Sequence, residues 1–295
     1  MTQRNVLAVH TAHGEYIGDL ETRNPLSEPI RDFDPFLILG HHGPQVFGPN
    51  NHGMPFSDHP HRGFETVTFI REGAVVHTDS SGHRRTVNEG GVQWMTAGAG
   101  VVHNEQVPPA FLHEGGLLEV LQLWVNLPAR LKSTPPCYVG VQADGIVASP
   151  LDGGRGTLHL VAGHYGGATG PIKSLTGVFM SWVDLAAGAR ARLPAPRGRT
   201  ILLYVIDGEI SIAGHTATGG DLFKFADDGD AIEVTTSSDA VFLFAHADPI
   251  GEPVVAHGPF VMNTEDEIAQ AFRDYRNGLF ASSVPFAPGT RTGSG

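Results

Sequence analysis

Two successive series of short apolar stretches, separated by turn residues, occupy most of this chain. Between Thr66 and Trp124 the stretches include TVTFI, GAVVHT and LEVLQLWVNL, and a second series from Leu158 onward includes LHLVAG, GVFMSWVDL and AVFLFA. Stretches of this length and spacing are typical of antiparallel strands in barrels or sandwiches. The sequence therefore predicts an all-β protein made of two similar modules.

Length and composition agree with two modules. The chain has 295 residues, more than one domain usually holds, and its 38 glycines and 21 prolines suit many turns. Between the two series, residues 128–156 contain Pro135, Pro136, Pro150 and a GGRG segment, a composition typical of a connection. We predict an N-terminal domain over residues 1–144, a C-terminal domain over residues 145–280 and a loosely held tail over residues 281–295.

One segment near the C-terminus has helical periodicity. The stretch NTEDEIAQAFRDYRNGLF places Ile268, Ala271 and Phe272 at helical spacing. Thr264 can serve as the N-cap, and Glu267 three residues later completes a capping box. These features predict a short C-terminal α-helix.

Charge and cysteine content exclude several classes of protein. The formal net charge is −12 and no run of Lys or Arg occurs, which argues against direct binding of nucleic acid or of an anionic membrane. Because no apolar segment approaches the roughly 20 residues of a membrane span, we expect a cytoplasmic protein without one. Cys137 is the only cysteine, so an intrachain disulfide is excluded. No obvious uncovered strand is visible, and we expect a monomer.

Histidines are concentrated in one part of the chain. Of the 16 histidines, seven fall between residues 41 and 83. In His59-Pro60-His61 the two imidazoles are at positions i and i+2, which on a strand face the same side. His103-Asn104-Glu105 repeats this spacing on a later stretch, so the four side chains could surround one ion if the two strands are neighbours.

Three histidines and one carboxylate leave open positions for substrate or dioxygen and suit Fe(II), Mn, Ni, Cu or Zn. Taken alone, an HxH pair is more often a pair of surface or hydrogen-bonded histidines. Its context favours a metal site, since Gly53, His59, His61 and Glu65 fit the pattern G-x5-H-x-H-x3-E of the first cupin motif. His103 lies about where the second cupin motif would place a ligand, although the preceding Gly and Pro spacing is loose.

A closer resemblance is carried by four segments: HPHRGFETVTFI, GGVQWMTAGAGVVHNE, LQLWVNLP and HGPFVMNTEDEIAQAFRDYRNG. They resemble the pirin family, over a span from about Asp32 to Gly278. The resemblance implies two cupin barrels of the jelly-roll type, with one metal ion in the N-terminal barrel. It also implies four metal ligands: His59, His61, His103 and Glu105.

Other polar residues receive a different interpretation. Glu65 shares the parity of His59 and His61, but the resemblance places the carboxylate ligand at Glu105, so we assign Glu65 to packing or to support of the ligands. Arg62 has the opposite parity and is expected in an ion pair. In the second module Arg190 and Arg192 stand where a cupin would carry its HxH pair, so no second metal site is expected. The remaining histidines of the cluster are expected at the surface or in hydrogen bonds: His41, His42, His52, His77 and His83.

Three classes of function stay open at this point. Some bacterial proteins that resemble pirins cleave the flavonol quercetin with dioxygen, which implies a ring-cleaving quercetin 2,3-dioxygenase that uses Fe(II), with Glu105 as the catalytic base. Animal pirins are associated with transcription regulators, which implies instead a metal- or redox-responsive regulatory protein that binds a transcription factor or an enzyme. The third class is another cupin activity, because the same ligand set serves isomerases and decarboxylases.

Overall fold

The computed structural model of the protein describes residues 2–26 and 31–280, so the predicted tail over residues 281–295 lies outside the described residues. Strands are numbered in chain order. The first half contains β1 (Val6–Thr11), β2 (Gly14–Ile17), β3 (Leu20–Leu26), β4 (Phe36–Phe47), β5 (His59–His61), β6 (Phe64–Glu72), β7 (Ala74–Asp79), β8 (Arg84–Asn88), β9 (Val92–Thr96), β10 (Val101–Gln106), a short helix α1 (Pro109–Glu114), β11 (Gly116–Asn126) and β12 (Cys137–Val141).

The second half is also composed almost entirely of strands. It contains β13 (Val147–Leu151), β14 (Gly156–Ala162), β15 (His164–Tyr165), β16 (Ala168–Thr169), β17 (Phe179–Leu185), β18 (Arg190–Pro194), β19 (Thr200–Asp207), β20 (Glu209–Ile212), β21 (His215–Thr218), β22 (Asp221–Phe225), β23 (Ala231–Thr235), β24 (Ala240–Ala247), β25 (Val255–His257), β26 (Phe260–Met262) and the helix α2 (Glu265–Arg276). The all-β prediction is confirmed.

Each half builds a barrel from one large and one small antiparallel sheet. In the first barrel a seven-stranded sheet of order β12-β9-β6-β11-β4-β3-β2 accompanies a four-stranded sheet of order β5-β10-β7-β8. In the second barrel the corresponding sheets have the orders β1-β22-β19-β24-β17-β14-β13 and β18-β23-β20-β21. The sequence therefore folds twice into the same arrangement, as its two series of apolar stretches predict.

The first strand lies in the second barrel. Strand β1 pairs antiparallel with β22, with Val9 opposite Phe223 and Thr11 opposite Asp221. The chain crosses back into the second barrel after β12, since β13 pairs with β14 of that barrel. The boundary that we predict between residues 144 and 145 stays a prediction.

The two large sheets share an apolar core. One cluster of buried side chains takes Val67 and Trp94 from the first barrel together with Trp182 and Leu243 from the second. Successive residues of a strand point to opposite sides of the sheet. The residues directly before and after Val67 and Trp94 on their strands therefore face the interior of the first barrel. This alternation delivers polar side chains to the interior of that barrel.

The C-terminal segment returns to the first barrel. Arg62 forms a parallel bridge with Phe260, and its guanidinium contacts Asp274 of α2 at 2.7 Å. Gly63 is required at this junction, because a Cβ atom there would lie 2.0 Å from the carbonyl oxygen of Val261. The expected ion pair of Arg62 is confirmed.

Helix α2 begins where the sequence predicts. Thr264 accepts a hydrogen bond from the backbone of Glu267, whose side chain accepts one from the backbone of Thr264 in return, so the capping box is complete. Ile268 and Ala271 are buried against Phe260. Among the described residues, neither helix is long and apolar enough to cross a membrane.

Candidate metal centre

Three histidines meet inside the first barrel because β5 and β10 are antiparallel neighbours. The register places His103 opposite His59 and Val101 opposite His61. The ring centroids of the three histidines lie 4.3 to 4.9 Å apart. One ligand atom from each of these histidines lies within 4.8 Å of the other two, a separation that a single ion can bridge.

Two of these histidines carry buried nitrogen atoms without a hydrogen-bond partner. His61 and His103 are 2% and 1% exposed, and among the described residues neither Nε2 of His61 nor either ring nitrogen of His103 has a partner. Such orphaned buried polar atoms are costly unless something else binds them. Two of the three rings are oriented by backbone carbonyl oxygens. That of Ser57 lies 2.7 Å from Nδ1 of His59, and that of Pro259 lies 3.3 Å from Nδ1 of His61.

Burial also keeps these imidazoles neutral. It lowers the pKa of His61 to about 3, an effect that His59 increases and the carbonyl of Pro259 opposes. Burial likewise lowers the pKa of His103 well below its ordinary value. Because a metal ion binds the neutral imidazole, His61 and His103 are able to bind a divalent ion without first losing protons.

Glu105 lies next to this group on the same face of β10. It forms a second group of possible ligands with His77 and His103, and it lines the same cavity as His59 and His61. Both groups among the described residues belong to the first barrel. The structure thus brings all four predicted ligands together, and their binding of an ion stays a prediction.

The carboxylate of Glu105 is 4% exposed and has three hydrogen-bond donors. Thr68 donates to Oε1 at 3.2 Å, Gln93 also donates to Oε1, and Gln122 donates to Oε2 at 2.6 Å. These donors come from β6, β9 and β11 of the large sheet, and each alternates with residues of the core between the barrels. Both carboxylate oxygens of Glu105 therefore have hydrogen-bond partners within the protein.

A cavity of about 330 Å³ leads to the histidines and Glu105. Its wall includes Trp124, whose ring stacks on Phe64 at a centroid distance of 4.2 Å. Ile38, Phe56 and His42 contribute further to the lining. Apolar walls with a few convergent polar groups are typical of small-molecule sites.

Glu65 does not belong to either group of possible ligands. It is buried on β6, where its Oε1 accepts a hydrogen bond from Thr96 at 2.6 Å. Burial raises its pKa to about 7, against the opposing effect of the hydrogen bonds from Thr96 and Trp94. Its assignment to a supporting or packing role stays a prediction.

Several residues around Glu105 were missed in the sequence. His77 is hydrogen-bonded as expected, to Asp79 at 2.9 Å, but the sequence did not indicate that it is 1% exposed and lies opposite Glu105 in the pairing of β7 with β10. Gln93 and Gln122 received no role, although each is a lone polar residue between apolar ones. A search for polar residues at alternate positions of apolar strands would have found both.

Comparison with known proteins gives consistent matches to one family. Residues 19–125 match the family model described as Pirin, and residues 180–281 match the one described as Pirin C-terminal cupin domain. A pirin-like protein of Caulobacter vibrioides is 39% identical over 251 residues, which cover 84% of this chain and 88% of that protein. Human pirin is 34% identical over 269 residues, which cover 86% of each chain.

Solved structures agree with these relatives. The structure of a quercetin 2,3-dioxygenase from Acinetobacter baumannii is 35% identical in sequence and superposes with a TM-score of 0.90, covering 96% of this chain and 100% of that chain. The two barrels described above are thus cupin barrels. The predicted fold is confirmed.

Proposed function

The chain belongs to the pirin family, and from this premise we propose that it is a metal-dependent dioxygenase that opens the heterocycle of a flavonol. One observation carries the proposal: three histidines, two of them buried with unpartnered ring nitrogens, lie beside a buried carboxylate that lines an apolar cavity. The similarity to the Acinetobacter baumannii quercetin 2,3-dioxygenase supports it.

His59, His61, His103 and Glu105 would hold one divalent ion, with Fe(II) the expected metal and Mn, Ni, Cu or Zn compatible with the same donors. When bound, the ion lowers the pKa of a hydroxyl group placed on it and promotes electron transfer to dioxygen. The carbonyl oxygens of Ser57 and Pro259 keep the ring orientations of His59 and His61 fixed.

The cavity would orient a planar aromatic substrate. Trp124 offers a ring fixed on one side by Phe64 and at its Nε1 by a hydrogen bond to Gln122 at 3.3 Å. A flavonol that stacks on this wall directs its polar edge toward the histidines and Glu105. The cavity lies at the lower end of the range of roughly 300 to 1,000 Å³ found for ligand sites, so a small polycyclic substrate suits it.

Glu105 would accept the proton of the flavonol 3-hydroxyl. Glu105 lines the cavity, and its carboxylate is held by hydrogen bonds from Thr68, Gln93 and Gln122. The hydrogen-bond donors prevent the carboxylate from turning away, so the accepting atom is in place before substrate enters. The resulting enolate is the electron-rich form that dioxygen attacks.

The proposal is tested by replacing one histidine. His61→Ala removes a buried nitrogen donor, and we expect metal per chain, measured by elemental analysis after anaerobic purification, to fall from about one toward zero. Oxygen uptake and loss of the flavonol absorbance with quercetin should stop. His215→Ala, an exposed histidine on β21 of the second barrel, is the matched control and should leave both unchanged. Full metal without oxygen uptake in the unaltered protein, with each of the five ions restored in turn, would sink the proposal.

Glu105→Gln tests the role of Glu105 as base separately from its role as metal ligand. The amide keeps the volume of the carboxylate but cannot take a proton, so we expect most of the metal to stay while turnover falls by about 10² to 10⁴-fold. Stopped-flow loss of the flavonol absorbance measures the change. Unaltered turnover in this variant would refute the role of Glu105 as base.

A further inference from the structure

Two glutamine amides hold Glu105, and each amide has its own orientation fixed by a third residue. The hydroxyl of Tyr138 donates to Oε1 of Gln93 at 3.0 Å, and Nε1 of Trp124 donates to Oε1 of Gln122 at 3.3 Å. Because the amide oxygens are taken by donors, the amide nitrogens must face Glu105. The five side chains form one continuous hydrogen-bonded row, of which Glu105, Gln122 and Trp124 line the cavity.

The row is secured at the Tyr138 end by packing. The Tyr138 ring stacks on His77 at a centroid distance of 4.0 Å and an interplanar angle of 14°. His77 is in turn fixed by Asp79, whose Oδ1 accepts from the backbone nitrogens of Ser81 and His83. Tyr138 lies on β12, an edge strand of the large sheet of the first barrel. Through Gln93 it helps to set the position of the Glu105 carboxylate.

We infer that Gln93 and Gln122 are positioning residues that keep the carboxylate of Glu105 on their amides and so weaken its bond to the ion. This inference rests on the function proposed above and adds the reason why a ligand can also serve as a base. A carboxylate bound tightly to a cation is a poor proton acceptor. One shared between the ion and two neutral donors can leave the ion when substrate arrives.

The inference predicts that loss of a glutamine amide strengthens metal binding, whereas loss of a residue that supports a metal ligand would weaken it. Partners of metal ligands ordinarily strengthen binding, so their loss weakens it by about 10- to 100-fold. Here the amides compete with the ion for the same two oxygens. Loss of one charge-assisted hydrogen bond should release the carboxylate to the ion and tighten metal binding.

The experiment measures the affinity of the metal-free protein for Co(II) alone, in competition with a chromophoric chelator. Gln93→Met, which keeps the side-chain length without the amide, should bind Co(II) about tenfold more tightly than the unaltered protein. Tyr138→Phe keeps the stack on His77 and removes only the hydroxyl, so it should give a smaller change in the same direction. Tyr204→Phe is the matched control, since that buried hydroxyl contacts His41 between the barrels at 2.8 Å, and its Co(II) affinity should be unchanged.

The same measurement in the Glu105→Gln variant shows whether the effect of Gln93 on metal affinity acts through Glu105. In Glu105→Gln the substitution Gln93→Met should no longer change the Co(II) affinity, because no carboxylate is left to release. Unchanged or weaker Co(II) binding in Gln93→Met, or an effect that persists in Glu105→Gln, would overturn the inference. If Gln93→Met fails to fold, Tyr138→Phe serves in its place, and unchanged or weaker Co(II) binding in that variant would likewise overturn the inference.

The result does not depend on dioxygenase activity. If Co(II) binds and responds as expected while quercetin is not consumed, the positioning role stands and the proposed substrate fails. If quercetin is consumed, kcat should fall in Gln93→Met with KM little changed, because the substitution alters the proton acceptor rather than the substrate-binding wall.

Discussion

At the scale of single residues, Glu65 shows what a buried acid does to the stability of this protein. Its side chain is 1% exposed, and its Oε1 accepts a hydrogen bond from Thr96. Burial raises its pKa from the ordinary value near 4.5 to about 7. Between these two pH values the folded protein keeps a proton that the unfolded chain has lost, so stability falls as pH rises through this window.

Glu65→Gln should remove this pH dependence. Because glutamine stays neutral, we expect the free energy of unfolding at pH 8 to rise by roughly 1 to 3 kcal/mol, with little gain at pH 4.5. Urea unfolding at both pH values measures the difference. An equal effect at the two pH values would show that Glu65 does not titrate in this range.

At the scale of secondary-structure elements, β10 explains why the site could be found in the sequence. It presents His103 and Glu105 on one face, and its neighbours β5 and β7 add His59 and His77 at directly opposite register positions. The i, i+2 spacing of the ligands is a local property of a strand, so it is visible in the sequence. The capping box of α2 is local in the same way.

The supporting residues could not be found by such local reasoning. Gln93 and Gln122 face Glu105 from another sheet, and Pro259 reaches His61 across 198 positions of the chain. Their roles depend on how the two sheets of the first barrel pack and on where the hairpin of β25 and β26 contacts that barrel. A short sequence pattern does not predict either of these. The placement of β1 in the second barrel was missed for the same reason.

At the scale of the whole molecule, β1 joins the beginning of the chain to the far barrel. Val9 packs against the core of that barrel, whereas Leu7, at the irregularity in the register between Val6 and Ala8, is 60% exposed. Arg4, just before the strand, is buried and donates to the carbonyl oxygens of Ala195 and Ala226 at 3.1 Å. The N-terminal segment is therefore a structural part of the second barrel.

Matched substitutions of a packed and an exposed residue of β1 test this. Val9→Ser loses apolar contacts and should lower the free energy of unfolding by about 1 to 2 kcal/mol, whereas Leu7→Ser should change it by less than about 0.5 kcal/mol. Hydrogen exchange should accelerate in β22 and β24 of Val9→Ser, with β10 unaffected. Equal acceleration in both barrels, or none in β22, would contradict the assignment.

The position of β1 has a consequence for synthesis of the protein. Thr11 donates to Asp221 at 2.6 Å across 210 positions, so a strand made before the first barrel pairs with one made after it. Strands β2 to β12 can pair among themselves while translation continues, but β1 must wait for β22 before the edge of the second barrel can close.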